Sequence, residues 1–195
     1  ATAGLAVGAT YTGGSGVDTV SFGASTKAST LGAGNDFAYL TGAALGTAGS
    51  IDAGAGSADT LGMTVANAAT ASATDLFEGT ISGFEKLTVA TSAAGTINMA
   101  NLDDIADINI STAVGHAIIL SGLQDSTTTQ VHASATGGSV THTLASSAGT
   151  SDTLNLTISG AAAVTGGTHV MAATETVNIS ALDSDTTLSN AVHTL

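Results

Sequence analysis

Short apolar stretches alternate with polar residues along the whole chain, each closed by glycine, serine, asparagine or aspartate. Val20 and Phe22 alternate in TVSF, and Phe37 and Tyr39 do so in FAYL. Further on, LTV (87–89), INM (97–99), INI (108–110) and AIIL (117–120) recur at intervals of about ten residues. The last third repeats the theme in DTLNLTIS (152–159), GTHVMA (167–172) and ETVNISAL (175–182). A period of two marks strands with one buried face. Short strands at such regular spacing predict an all-β protein with a β-solenoid-like stack, or alternatively a β-sandwich for its second part. Residues 1–12 read as an entering strand with a glycine turn. Residues 66–80 (ANAATASATDLFEGT) have helical propensity, so Asp75 and Glu78 either start a short helix or close a loop. A GG turn at 137–138 predicts a hairpin. The likeness of GFEKLTVA (83–90) to ATETVNISA (173–181) predicts one supersecondary unit used twice.

Charge narrows the class. Of 195 residues only Lys27 and Lys86 are basic, against fifteen carboxylates, twelve of them Asp, for a net charge of −13. Such a surface repels phosphate, which excludes nucleic acid and anionic membranes as partners, and it suits divalent cations. There is no 18-residue apolar run, so no membrane insertion is expected. Cysteine and proline are absent, which removes disulfides and thiolate sites. Bound metal is then the natural staple for a chain outside the cell. Apolar residues make up 43 % of the chain and aromatics 3 %, which favours thin stacked strands over the disorder a Gly/Ala/Ser/Thr-rich composition can bring. The chain opens at Ala1 without a basic or apolar leader, as a fragment of something longer would.

The candidate chemistry lies between Gly13 and Leu61. GGSGVDTVSF matches the nonapeptide G-G-x-G-x-D-x-U-x in full, LGAGNDFAYL follows eighteen residues on, and a looser AGAGSADTL ends the stretch. Asp18 and Asp36 are therefore two nonapeptides apart, one coil of a parallel roll, so their loops stack. Glycine permits φ > 0 and lets carbonyl oxygens converge without Cβ clashes. Aspartate adds a hard anionic oxygen. Ca²⁺ takes six to eight oxygens at roughly 2.3–2.6 Å, more than one such loop supplies but within reach of two. The opposite loops, FGASTK and TGAALGTAGS, lack the aspartate, which confines the cation row to one edge. The third loop, Ala53 to Asp59, carries one extra residue before its aspartate and arrives twenty-three residues after Asp36, a degenerate repeat with an insertion in its coil.

Elsewhere the bland reading prevails. The five histidines (His116, His132, His142, His169 and His193) show no zinc spacing, and most read as outward polar residues of alternating tracts. Asp103, Asp104 and Asp107 read as a solvated turn. Asp152, in GTSDTLNL, resembles a half-repeat, and Asp183 and Asp185 have an alternating-carboxylate look. No G-x-S-x-G elbow occurs, and only two cationic side chains exist to stabilise an anionic transition state, so no catalysis is expected.

GGSGVDTVSF, LGAGNDFAYL, ISGFEKLTVA, GTSDTLNLTIS and ATETVNISALDSDTT, in that order, resemble the C-terminal half of RTX-type bacterial surface-layer proteins, and look most like the branch that forms hexagonal layers on stalked freshwater bacteria. The likeness in motif order covers most of the chain. It implies type I secretion, calcium-triggered folding outside the cell and self-assembly into a lattice. It also implies a ligand set. One Ca²⁺ would take carbonyls of Gly14 and Gly16 with Asp18, and carbonyls of Leu31 and Ala33 with Asp36. A second would take Gly32, Gly34 and Asp36 with Ala53, Ala55 and Asp59. Leu31 departs from the family's glycine, which a backbone ligand tolerates.

The expectation is thus a calcium β-roll over residues 1–65 and a β-solenoid-like region over 66–195, either separate from the roll or continuous with it. The expected role is structural: a secreted, cell-surface protein that associates with itself and reaches cell-surface polysaccharide, if at all, through a region outside this chain. A segment of a secreted RTX adhesin or biofilm-matrix protein, or the non-catalytic roll of a secreted enzyme, are the alternatives.

Overall fold

The computed structural model describes residues 4–102, 105–132, 137–160 and 167–183. Expectations resting on residues 1–3, Asp103, Asp104, Asp185 and His193 lie outside these. Among the described residues strand makes up 43 % and helix 8 %, and parallel sheets wind into a β-solenoid of about six turns. The fold is all-β, as the alternation predicts.

One sheet carries eight parallel strands: β1 (Thr19–Phe22), β3 (Phe37–Leu40), β5 (Thr60–Thr64), β7 (Lys86–Ala90), β9 (Asp107–Ile110), β11 (Thr128–Val131), β13 (Thr153–Gly160) and β15 (Thr176–Asp183). It runs without a break across position 65. The second face is made of two sheets. β2 (Ala28–Thr30), β4 (Ser50–Asp52) and β6 (Ile81–Ser82) form one, and β8 (Gly95–Asn98), β10 (Ala117–Leu123), β12 (Ser139–Leu144) and β14 (Thr168–Met171) the other. Coil lengths vary: hydrogen bonds between equivalent residues of successive coils span 18, then 23, then 26 residues. The registers Ala28↔Ser50 and Ala33↔Ala55 share one spacing, whereas Phe37↔Thr60 is one residue longer. The extra residue of the third loop is therefore absorbed between Ala55 and Asp59.

The inward positions form ladders. Leu61 pairs with Leu87 and Leu87 with Ile108; Met63, Val89, Ile110, Val131 and Ile158 make a second column. All are at most 3 % exposed. Register corrects one assignment. Val20 and Phe22 point inward as expected, but they pair with Ala38 and Leu40, so those two are buried and Phe37 and Tyr39 face outward. Their rings lie over Gly62, where a Cβ would stand 2.6 Å from Phe37 Cζ.

Helix α1 (Val65–Ala71) begins where Thr64 Oγ1 accepts from the Asn67 amide at 3.2 Å, and buries Val65, Ala68 and Ala71 at helical spacing. Ser72 Oγ beyond it accepts the Asn98 amide, so the helix covers the free edge of β8. Asp75 lies in a turn, and Glu78 opens a short 3₁₀ turn, Glu78–Thr80. Two further expectations fail. Tracts β11 and β12, which flank the GG turn, belong to different sheets and form no hairpin. Residues 4–12 make isolated bridges, Leu5 to Phe22 and Thr12 to Thr30, in place of a strand.

Candidate metal centre

The residue immediately before each strand of the long sheet occupies one edge of the solenoid. In order these are Asp18, Asp36, Asp59, Glu85, Ala106, Thr127, Asp152 and Glu175. A single hydrogen bond repeats along them. The Asp18 amide donates to Asp36 Oδ1 at 2.7 Å, the Asp36 amide to Asp59 Oδ1 at 2.6 Å, and the Asp59 amide to Glu85 Oε2 at 2.8 Å. Each carboxylate thus caps the coil before it and keeps one oxygen to spare.

Asp36 and Asp59 are 1 % and 0 % exposed, and neither Oδ2 has a hydrogen-bond partner. A buried carboxylate oxygen without a donor is costly unless a cation meets it. Burial pushes the Asp59 carboxyl above its ordinary range; the Asp36 amide opposes this, and the charges of Glu85 and Asp36 add to it. Asp18 differs. Its Oδ1 accepts from the Tyr11 hydroxyl at 2.7 Å and its Oδ2 from the Gly14 amide at 3.2 Å, although its loop matches the nonapeptide best.

The carbonyls complete the picture. A Cβ on Gly13 would overlap the Leu31 carbonyl oxygen; one on Gly32 would overlap that of Gly14; one on Gly54 would overlap that of Gly32. On Gly34 it would come within 2.6 Å of the Gly16 oxygen, and on Gly56 it would overlap both the Gly34 oxygen and Asp59 Oδ2. Each loop's oxygens therefore press against the bare α-carbons of the next. Gly32 (φ +105°), Gly34 (+139°) and Gly54 (+93°) also adopt the left-handed region, whereas Gly14 and Gly16 do not. Leu31 is fully buried, so its side chain plugs the core while its carbonyl serves the loop. Ala33 pairs with Ala55, the Gly34 amide donates to the Ala55 oxygen at 2.9 Å, and the Ala55 amide to the Gly32 oxygen at 2.8 Å. Ala53 is buried and donates to the Ser82 oxygen. All eleven predicted residues stand on the same three stacked loops.

This donor set, carboxylate and carbonyl oxygen without nitrogen or sulfur, fits a hard cation such as Ca²⁺. Glu85 and Glu175 escaped the sequence reading, which sought aspartates after glycines; the likeness of GFEKLTVA to ATETVNISA was the signal that pointed to them. Asp107 leaves the candidate list, because it pairs with Lys86 at 3.0 Å and accepts from Gln130 Nε2. Two histidines need correcting. His142 and His169 are each 2 % exposed and point into the core, since inward register places them beside Leu120 and Val140. No group of three or more His, Cys, Asp or Glu side chains converges on one point among the described residues, so any cation here depends heavily on backbone oxygen and water.

What the fold and site define is a parallel β-solenoid with a one-edged carboxylate ladder over stacked glycine loops. No protein-family model matches the chain, and no match to a curated protein was found.

Proposed function

We propose that this protein is a structural element of an extracellular layer, folded by Ca²⁺ and assembling with copies of itself. The buried, unpartnered Oδ2 atoms of Asp36 and Asp59, on the edge that also carries the stacked glycine loops, carry the calcium part of this reading. In the metal-free chain those oxygens oppose folding, and fifteen carboxylates against two lysines add self-repulsion. Ca²⁺ bound between coils removes both penalties and stabilises only the folded form. Asp36 and Asp59 supply the anionic oxygens, and the Gly14, Gly16, Leu31, Gly32 and Gly34 carbonyls lie at the same edge. A chain with this linkage stays open in a low-calcium cytosol and closes outside. The resemblance to RTX-type surface-layer proteins supports the assembly half.

The test is a Ca²⁺ titration into chelator-treated protein, followed by circular dichroism, light scattering and electron microscopy. Cooperative gain of β signal and then ordered sheets or filaments is expected. Folding without particles would remove the assembly half, and indifference to chelator would remove the whole reading.

A further inference from the structure

The carboxylate row stops at Ala106 and Thr127 and then resumes at Asp152 and Glu175, four coils beyond the last glycine loop. It resumes with the same construction. At the first Asp-to-Glu step, the Asp59 amide donates to Glu85 Oε2 at 2.8 Å, and the amides of Glu85 and Lys86 both donate to the Asp59 carbonyl at 3.1 and 3.0 Å. At the second, the Asp152 amide donates to Glu175 Oε2 at 2.9 Å, and the amides of Glu175 and Thr176 both donate to the Asp152 carbonyl at 3.1 and 3.0 Å. Most tellingly, each aspartate keeps a buried Oδ2 with no donor. Asp59 is 0 % exposed, whereas Asp152 is partly buried and Glu175 exposed, with only the Asp152 Oδ2 atom shut off from solvent. A glycine stands three residues before each, Gly56 and Gly149, with its bare α-carbon facing the carboxylate.

We propose that the Asp-over-Glu step is a cation site in its own right, used twice, at Asp59–Glu85 and at Asp152–Glu175, and that the second binds Ca²⁺ independently of the glycine loops. The ligand class follows from the donors, which are carboxylate and backbone oxygen throughout. Two anionic side chains stacked one coil apart repel, and a buried oxygen without a donor requires a positive partner. At the first copy Lys86 follows the glutamate but turns to Asp107; at the second, threonine takes its place, so no side-chain cation follows Glu175. Asp125, one coil earlier, accepts the Thr153 amide at 2.7 Å and adds a third negative charge to this end of the edge. Water completes the shell at this more open step. The cation would tie β13 to β15, the last strand of the long sheet.

The proposal shares its calcium logic with the proposed function, so its test separates the two ends of the chain. Hydrogen–deuterium exchange of the wild-type chain, with Ca²⁺ or with chelator, reads β1–β5 and β13–β15 separately. Protection of residues 153–158 and 176–180 is expected to rise about tenfold or more with Ca²⁺. The double variant Asp152→Asn with Glu175→Gln, which keeps the amide acceptor, should lose that rise while retaining the one over residues 19–40. Calorimetry should count one Ca²⁺ fewer. Asp18→Asn with Asp36→Asn should show the converse. Calcium-dependent protection confined to β1–β5 in the wild type would overturn this site and leave the roll reading standing. Protection at neither end would overturn both. An unchanged Ca²⁺ count in a folded double variant would also sink it; should that variant not fold, the Ca²⁺ count of the single variant Glu175→Gln decides in the same way.

Discussion

At the scale of single residues, the glycines and the carboxylates make opposite demands that can be separated by mutation. Gly32 has a left-handed backbone, and a Cβ there would overlap the Gly14 oxygen, whereas Gly16 has open space around it and no positive φ. Gly32→Ala should therefore destabilise by about 2 kcal/mol or more, and Gly16→Ala by less than about 1, measured by thermal melts in Ca²⁺. Asp59 gives a sign test. Its carboxyl is raised by burial, so in the metal-free chain it contributes stability at low pH that is lost as pH rises through its folded value. Asp59→Asn removes that penalty and keeps the Oδ1 that accepts the Asp36 amide. In chelator at pH 7 the variant should be the more stable protein. In Ca²⁺ at a hundredfold excess over its dissociation constant the order should reverse, by up to about 2.7 kcal/mol for each ion lost. The same order under both conditions would show that the carboxylate meets no cation.

At the scale of elements, stability resides in the inward ladders and in one polar break within them. Ile108 stacks between Leu87 and Thr129 and is fully buried, so Ile108→Ala should cost about 2–5 kcal/mol. Beyond it the core turns polar: Thr129 Oγ1 lies 3.5 Å from His142 Nδ1, and His142 Nε2 lies 3.2 Å from His169 Nδ1. Burial, helped by the neighbouring His169, pushes His142 down to about 3. Above pH 6.5 that imidazole is neutral whether folded or not. As pH falls further the unfolded chain takes a proton that the folded one refuses, so stability is lost toward pH 3, by about 2 kcal/mol at pH 5. Denaturant melts of His142→Leu between pH 5 and 7 should show that slope removed. Alternation alone made the β-stack legible, yet it could not say which face of each strand turns inward. Phe37 and Tyr39 were misassigned because apolar character outweighed register, and His142 and His169 because polar character did.

At the scale of the whole molecule, the glycine loops were legible because their chemistry lies in one contiguous motif. The Asp-over-Glu steps join residues 26 and 23 positions apart, so the likeness of GFEKLTVA to ATETVNISA marked the two glutamates, while irregular coil lengths hid the aspartates they meet. That row also determines how the chain as a whole meets salt. Neighbouring coils lie about 4.8 Å apart, well inside the Debye length of about 8 Å at 0.15 M. Monovalent salt at that strength cannot screen one carboxylate of the row from the next, although it does weaken repulsion across the rest of a surface of net charge −13. A cation seated between coils removes the local repulsion outright and supplies the missing partner of Asp36 Oδ2 and Asp59 Oδ2. The chelated protein should therefore stay largely unfolded in 0.15 M NaCl and recover only part of its β signal at 1 M, where the Debye length shrinks to about 3 Å. Millimolar Ca²⁺ should restore it fully at either ionic strength, as circular dichroism at matched salt will show. Full recovery in NaCl alone would mean that diffuse charge, and not an occupied edge, controls folding.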